Sequence, residues 1–146
     1  MASVYHLSGA RRAVNLVMRN LIRVGLGGRH TYLLTVPGRS SGRAYSTPVT
    51  LVENAEGRWL VAPYGERSWV KNARAAGQVQ LSRARRREHL RVEEVVAPGE
   101  AAVVLREYLR AVSVTRPFFD AKAGDPVEAF EREASRHPVF RLTPAR

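Results

Sequence analysis

The segment that most limits how this chain can fold lies between Leu33 and Pro48. Two apolar stretches that predict β-strands enclose the loop Gly38–Arg43, whose sequence is GRSSGR. Its glycines let the backbone bend and come close to a ligand. Its hydroxyls, exposed N–H groups and arginines offer the hydrogen bonds and charge that hold a phosphate without a metal. The residues alone leave open an ordinary basic hairpin turn, because glycine and serine are common in turns.

The rest of the chain predicts hairpins and a few helices. The predicted strands are Tyr32–Val36, Tyr45–Val52, Arg58–Ala62, Gln78–Ser82, Glu88–Val96 and Val139–Leu142. The predicted helices are residues 10–24, Ser68–Ala76, Glu100–Val112 and Pro126–Ser135. Because most strands are neighbours in sequence, this order predicts an α+β fold, with an antiparallel sheet or small barrel and attached helices.

Individual residues predict where several helices and strands begin or end. Ser68 is a candidate N-cap and Gly77 a candidate C-cap of the second helix. The run Arg83–Arg87 (RARRR) predicts the solvated tip of a hairpin, and Ser113–Asp125 predicts a loop. Pro126 suits the first turn of the last helix.

Length and composition predict one folded domain over residues 1–146, since 45% of the residues are hydrophobic. The chain has no cysteine, and its four histidines, His6, His30, His89 and His137, show no ligand spacing. Disulfides are therefore excluded, and a metal site is not expected. No secretory signal and no apolar run of about 20 residues is visible, so a cytoplasmic location is expected.

The formal charge of +11 is uneven, because residues 1–52 contain no Asp or Glu. Such a surplus predicts an anionic partner, which could be a cofactor, a nucleic acid or a membrane surface. The basic amphipathic helix at residues 10–24 is expected to pack on the domain. Contact with an anionic membrane surface is its alternative role.

The order of short motifs resembles one known family. The motifs are LLTVPGRSSG with Pro48 ten residues after Gly38, WLVAPYG, Trp69-Val70-Lys71-Asn72, EYLRAVS and the terminal HPVFRL. From about Leu21 onward the chain resembles the deazaflavin-dependent nitroreductases of actinobacteria. The resemblance implies a split β-barrel, FMN-binding-like in fold, that binds coenzyme F-420.

The resemblance also implies roles for individual residues. The phosphate would be held by Arg39, Ser40, Ser41, Gly42 and Arg43. The deazaflavin ring would contact Ser46, Thr47, Pro48, Ala62, Pro63, Tyr64 and Gly65. Trp69 and Asn72 would close the ribityl and phosphate side, with Lys71 near the anionic tail. The acceptor region would hold Arg116, Phe118 and Phe119, and the candidate proton donors are Tyr64 and Tyr108.

The expected function is therefore an F-420-dependent oxidoreductase. Hydride would pass from the reduced deazaflavin to a small activated acceptor, such as an enone or a quinone. Two alternatives remain at this point: an FMN-binding or flavin-reductase protein on the same fold, and a small basic nucleic-acid-binding barrel. Nucleic acid is not the expected partner, and either a monomer or a homodimer is compatible with the sequence.

Overall fold

Six strands close into a barrel in the computed structural model, which describes residues 28–145. They are β1 (Thr31–Pro37), β2 (Ala44–Asn54), β3 (Gly57–Val61), β4 (Gln78–Arg83), β5 (Arg86–Glu94) and β6 (Val139–Pro144). Their order around the barrel is β1-β2-β3-β6-β5-β4, with β4 pairing back onto β1. All six pairings are antiparallel. The predicted α+β barrel of about six mostly antiparallel strands is confirmed.

Three α-helices and two short 3-10 helices surround this barrel within residues 28–145. The α-helices are α1 (Ser68–Ala76), α2 (Pro98–Ala111) and α3 (Val127–Glu131). The 3-10 helices are Ser113–Phe118, inside the predicted loop, and Ala134–Arg136, which overlaps the end of the predicted last helix. The predicted helix at residues 10–24 lies outside the described residues. In the described part of the chain, no helix has the length and apolar character needed to cross a membrane.

Three boundary predictions are wrong. The N-cap of α1 is Arg67, in extended conformation and without a capping side chain, so Ser68 is the first helical residue. Pro126 is the N-cap of α3 and does not lie in its first turn. The hairpin tip is only Ala84 and Arg85, because the strands continue to Arg83 and from Arg86. Ala84 adopts φ 52, the left-handed conformation that lets a two-residue turn follow the strand twist.

The strands divide their side chains between two apolar layers because successive residues point to opposite faces. Leu51, Leu60 and Phe140 face the barrel interior, where Leu34, Leu81 and Leu142 also pack. Their sequence neighbours Val52, Trp59, Val61 and Val139 face outward. There they pack against α2 and α3 through Leu105, Leu109 and Phe130. The helices therefore cover one outer wall of the barrel.

A polar cluster ties the beginnings of β1, β3 and β5 to the end of β2. Glu53 accepts hydrogen bonds from Tyr32 Oη at 3.0 Å and from Arg58 Nε at 2.8 Å. Its carboxylate also lies 2.7 Å from His30 Nδ1, and Arg58 reaches Glu88 at 3.0 Å. Burial by itself raises the pKa of Glu53, but the hydrogen bonds from His30, Tyr32 and Arg58 lower it below its ordinary value.

The variant Glu53→Gln is expected to reduce the acid sensitivity of folding. A carboxyl whose pKa is lowered by folding contributes stability above its unfolded-state pKa, here 4.5, and loses it as the pH falls through the folded-state value. The free energy of unfolding of the wild type should thus fall more steeply below about pH 4.5 than that of the variant. Urea unfolding at a series of pH values measures this, and Glu56→Gln, at an exposed turn residue, should reproduce the wild-type curve.

Candidate anion-binding cleft

The Gly38–Arg43 loop closes on itself between β1 and β2. The Gly38 N–H donates to the Arg43 carbonyl at 2.7 Å, and the Gly42 N–H donates to the Gly38 carbonyl at 2.9 Å. The Arg43 N–H donates to Ser41 Oγ at 3.2 Å. Gly42 has φ 71, a conformation that favours glycine. The loop is thus a turn whose conformation is fixed by its own hydrogen bonds.

Gly38 is required by the tightness of that turn. A Cβ at this position would lie 2.8 Å from Tyr45 Cε2, 3.1 Å from Ser41 Oγ and 3.2 Å from the Arg43 carbonyl oxygen. The backbone oxygen cannot move without breaking the loop's own hydrogen bond. Glycine therefore permits the close approach that shapes the loop.

Asn72 ties the loop to helix α1. Its side chain is 5% exposed, and its Oδ1 accepts hydrogen bonds from the Arg39 N–H at 3.1 Å and from Arg39 Nη1 at 2.7 Å. The second of these bonds is charge-assisted and so among the stronger ones in proteins. Asn72 thereby fixes both the backbone and the guanidinium of Arg39.

The first turn of α1 and the loop share one cleft of about 320 Å³. Its lining residues are Gly38, Arg39, Ser40, Ser41, Tyr45, Ser68, Trp69 and Asn72. Helix α1 has no capping side chain at its start and no acidic residue in its first turn. Helix N-termini attract anions because their N–H groups lack helical partners. Among residues 28–145, the N–H groups of Ser40 and Ser41 also have no carbonyl partner.

A larger cavity of about 390 Å³ lies at the other end of the barrel and is also rich in arginine. The guanidinium groups of two of its arginines already bind other groups of the protein, however. Arg58 is bound by Glu53 and Glu88, and Arg83 Nη1 donates to the carbonyls of Gly28 and Thr31. The carboxylate of Glu88 also lines that cavity, whereas no acidic residue lines the smaller cleft, so we assign the candidate anion site to the smaller cleft.

The cleft gathers only part of the predicted cofactor residues. Arg39, Ser40, Ser41, Trp69 and Asn72 line it. The others lie beside or beyond it: Gly42, Arg43, Ser46, Thr47, Pro48, Ala62, Pro63, Tyr64, Gly65 and Lys71. Ser46 Oγ lies 2.9 Å from Thr35 Oγ1 on the neighbouring strand. The assignment of these residues to a deazaflavin ring stays a prediction.

The predicted acceptor residues occupy different surroundings. Phe118 packs edge-on against Tyr64, with ring centroids 4.9 Å apart. Phe119 is buried in the layer between barrel and helices. Arg116 is exposed, and its guanidinium donates to the carbonyls of Leu109 and Arg110 near the end of α2. The structure therefore brings Phe118 together with Tyr64 but directs Arg116 to a helix end.

The two candidate proton donors also differ. Tyr64 is partly exposed, whereas Tyr108 is buried in the outer apolar layer. Burial, with a smaller contribution from Tyr64, raises the pKa of Tyr108 above its ordinary value of 10.0. Tyr108 therefore holds its proton strongly.

Gly38, Tyr45 and Ser68 line the cleft but were not among the predicted site residues. Ser68 stands one helical turn before Asn72, and this i,i+4 spacing was the available signal. Tyr45 begins the strand that follows the loop, and its position opposite Val36 places it at the cleft edge. No sequence pattern indicates that Asn72 would bind Arg39, because the two lie 33 positions apart.

Comparisons with known proteins agree with this architecture. A family model described as F420H2-dependent quinone reductase matches residues 9–124. An F420-H2 dependent reductase, FDR-A, is 20% identical over 79% of this chain and 95% of its own, with a TM-score of 0.56. HutZ, a heme storage protein from Vibrio cholerae, is 16% identical over 90% of this chain and 89% of its own, with a TM-score of 0.54.

A further structure, described as a domain-swapped dimer, is 17% identical over 92% of this chain and 96% of its own, with a TM-score of 0.57. At these identities the solved structures show a common fold. No curated protein matches the sequence significantly.

Proposed function

This chain belongs to the F420H2-dependent quinone reductase family, and on that premise we propose that it reduces a quinone, an enone or a similar activated small molecule. Membership makes the chain an F-420-dependent reductase with coenzyme F-420 as its cofactor. The acceptor is our proposal. When bound in its reduced form, the coenzyme supplies hydride from C5 of its deazaflavin ring. One proton must accompany that hydride when a C=C or C=O group is reduced.

The observation that carries the proposal is the junction of the Gly38–Arg43 loop with the N-terminus of α1. Coenzyme F-420 ends in a phosphodiester and several carboxylates. The cleft offers an arginine fork, three serine hydroxyls and a helix start without an acidic residue. These donors fit the anionic end of the coenzyme, because arginine and helix N–H groups both bind phosphate oxygens.

The predicted site residues have distinct parts in this proposal. Arg39, Ser40 and Ser41 bind the phosphate, and Asn72 holds Arg39 in place. Trp69 covers the cleft and packs against Phe140 in the barrel interior, with ring centroids 6.4 Å apart. The segment Pro63–Gly65 lines the ring, and the Tyr64 hydroxyl holds the proton that the acceptor receives. The protein thus anchors and orients the reactants.

Side-by-side titration of the purified protein with coenzyme F-420 and FMN tests the cofactor site. We expect saturable binding of F-420 at one site, with much weaker binding of FMN, followed by measured turnover of quinones and enones with reduced F-420. Tight binding of FMN alone would instead support a flavin protein on the same fold. Steep salt-dependent DNA binding that F-420 does not compete would support the nucleic-acid alternative.

Two tyrosine variants decide which phenol supplies the proton. Tyr64→Phe is expected to lower kcat about 100-fold, since a positioned general acid typically contributes that much or more. Tyr108→Phe should have a far smaller effect, because burial holds its proton strongly. Steady-state kinetics with saturating F-420 measures both. Unchanged kcat in both variants would leave solvent as the proton source.

We also propose that the protein forms a homodimer through the first half of β2. Residues 44–50 pair with β1 on one side, and within residues 28–145 no strand pairs with them on the other. Tyr45 on this segment is 50% exposed. An open strand edge invites pairing with another chain. Light scattering of the purified protein distinguishes the dimer from a monomer.

Association with an anionic membrane through residues 10–24 remains a proposal of the same kind. Its support is the basic, acid-free sequence of this segment and the lipid solubility of many quinones. Flotation with vesicles, with and without the segment, tests it. A cytoplasmic location is likewise proposed.

A further inference from the structure

Glu133 and His137 form a buried pair beside the predicted cofactor site. They flank the 3-10 helix Ala134–Arg136 and are 1% and 4% exposed. The Glu133 carboxylate accepts hydrogen bonds from the N–H groups of Asp120 at 3.0 Å and Ala121 at 2.6 Å. It also lies 3.0 Å from His137 Nε2. A carboxylate with this many donors is held firmly in one orientation.

The other ring nitrogen of His137 faces the backbone of the predicted cofactor segment. His137 Nδ1 lies 2.8 Å from the Pro63 carbonyl oxygen. A backbone carbonyl can only accept, so Nδ1 carries a proton and donates it to Pro63. Burial lowers the pKa of His137 below its ordinary value, although the hydrogen bonds with Glu133 and Pro63 oppose that shift.

The segment Pro63–Gly65 packs beside the Glu133–His137 pair. Gly65 has φ 84, and a Cβ there would lie 3.4 Å from the Arg136 carbonyl oxygen. The ring of Phe119 stacks on His137 with centroids 3.9 Å apart, while its neighbour Phe118 contacts Tyr64. His137 therefore touches both the predicted ring-binding segment and the predicted acceptor segment.

We propose that His137, held in place by Glu133, is a positioning residue that fixes the Pro63 carbonyl and so sets the Pro63–Gly65 segment against the cofactor and acceptor. The charged groups around the pair are Arg136, 3.7 Å from the Glu133 carboxylate, and Asp120, which pairs with Arg136 at 2.8 Å. Neither replaces the histidine, because no other side chain is hydrogen-bonded to the Pro63 carbonyl within residues 28–145. The inference rests on the proposed function where it concerns the cofactor.

Nitrogen NMR of the wild-type protein without cofactor tests the local arrangement. We expect Nδ1 of the His137 ring to carry a proton at neutral pH, because it donates to the Pro63 carbonyl. A wild-type ring whose Nδ1 carries no proton would overturn the proposal. This measurement needs no coenzyme, so it is independent of whether the proposed function holds.

Affinity measurements test the positioning role. His137→Gln is expected to raise the dissociation constant of F-420 about tenfold, the upper range for the loss of one ordinary hydrogen bond. His30→Gln alters the other histidine–glutamate pair, His30 with Glu53, and should leave that constant unchanged. A His137→Gln protein that is less heat-stable but binds F-420 as the wild type does would overturn the proposal. Wild-type protein that fails to bind F-420 would instead overturn the proposed function.

Discussion

Replacing Arg39 with alanine is expected to weaken binding of coenzyme F-420 by about 1.5–3 kcal/mol, the range for a hydrogen bond to a charged group. This corresponds to a roughly 10- to 150-fold higher dissociation constant. Arg39 lines the cleft, and its guanidinium is held by Asn72 at 2.7 Å, so little side-chain freedom is lost on binding. Fluorescence titration of F-420 into the variant measures the change.

The control for Arg39→Ala is Arg87→Ala, which removes the same charge at an exposed position of β5. If general attraction between charges caused the effect, both variants would lose similar affinity for F-420. High salt would then erase the loss of affinity in both variants. A double-mutant cycle with Asn72→Ala adds a second test. Because Asn72 acts through Arg39, the two losses should not add. Unchanged affinity of Arg39→Ala would remove Arg39 from the site.

Replacing Phe130 with alanine is expected to lower the free energy of unfolding by about 3–5 kcal/mol. Phe130 is fully buried in α3 and packs in the outer apolar layer with Leu105 and Leu109. Its removal takes away apolar contacts and leaves a cavity that the rigid barrel wall cannot fill. Urea unfolding, with the slope compared between variants, measures the loss.

Val96→Ala provides the matched comparison for Phe130→Ala, because Val96 is 87% exposed. Its expected effect lies within about 0.5 kcal/mol. A loss below about 1 kcal/mol for Phe130→Ala would contradict the packing of α3 on the barrel, since a fully buried aromatic ring contributes more than that.

The fold could be predicted from the sequence because its signals are local. The alternation of Leu51 with Val52, and of Leu60 with its neighbours, gives β2 and β3 two apolar faces. One face can fill a barrel and the other can carry helices. The errors fell at boundaries such as Ser68 and the Arg83–Arg87 tip. At such positions one or two backbone angles decide at which residue a helix or strand begins or ends. Several residue types can adopt those angles.

The candidate site was only partly predictable. The glycines, serines and arginines of the Gly38–Arg43 loop indicate an anion site by composition alone. That Asn72 holds Arg39 could not be predicted, because neither residue has a distinctive neighbour. The spacing between histidines predicts no metal site. It also carries no information on the pair of Glu133 and His137, which has the i,i+4 spacing of a glutamate and a histidine.

By itself the sequence determined the strand pattern, the basic loop and the apolar faces, because backbone preference and burial act on residues close together along the chain. Only the tertiary structure decided which distant groups meet. Closure of the barrel places Arg39 beside Asn72, and the return of β6 beside β3 places His137 against the carbonyl of Pro63, 74 positions away. Those contacts depend on how whole elements pack, and no short segment records that information.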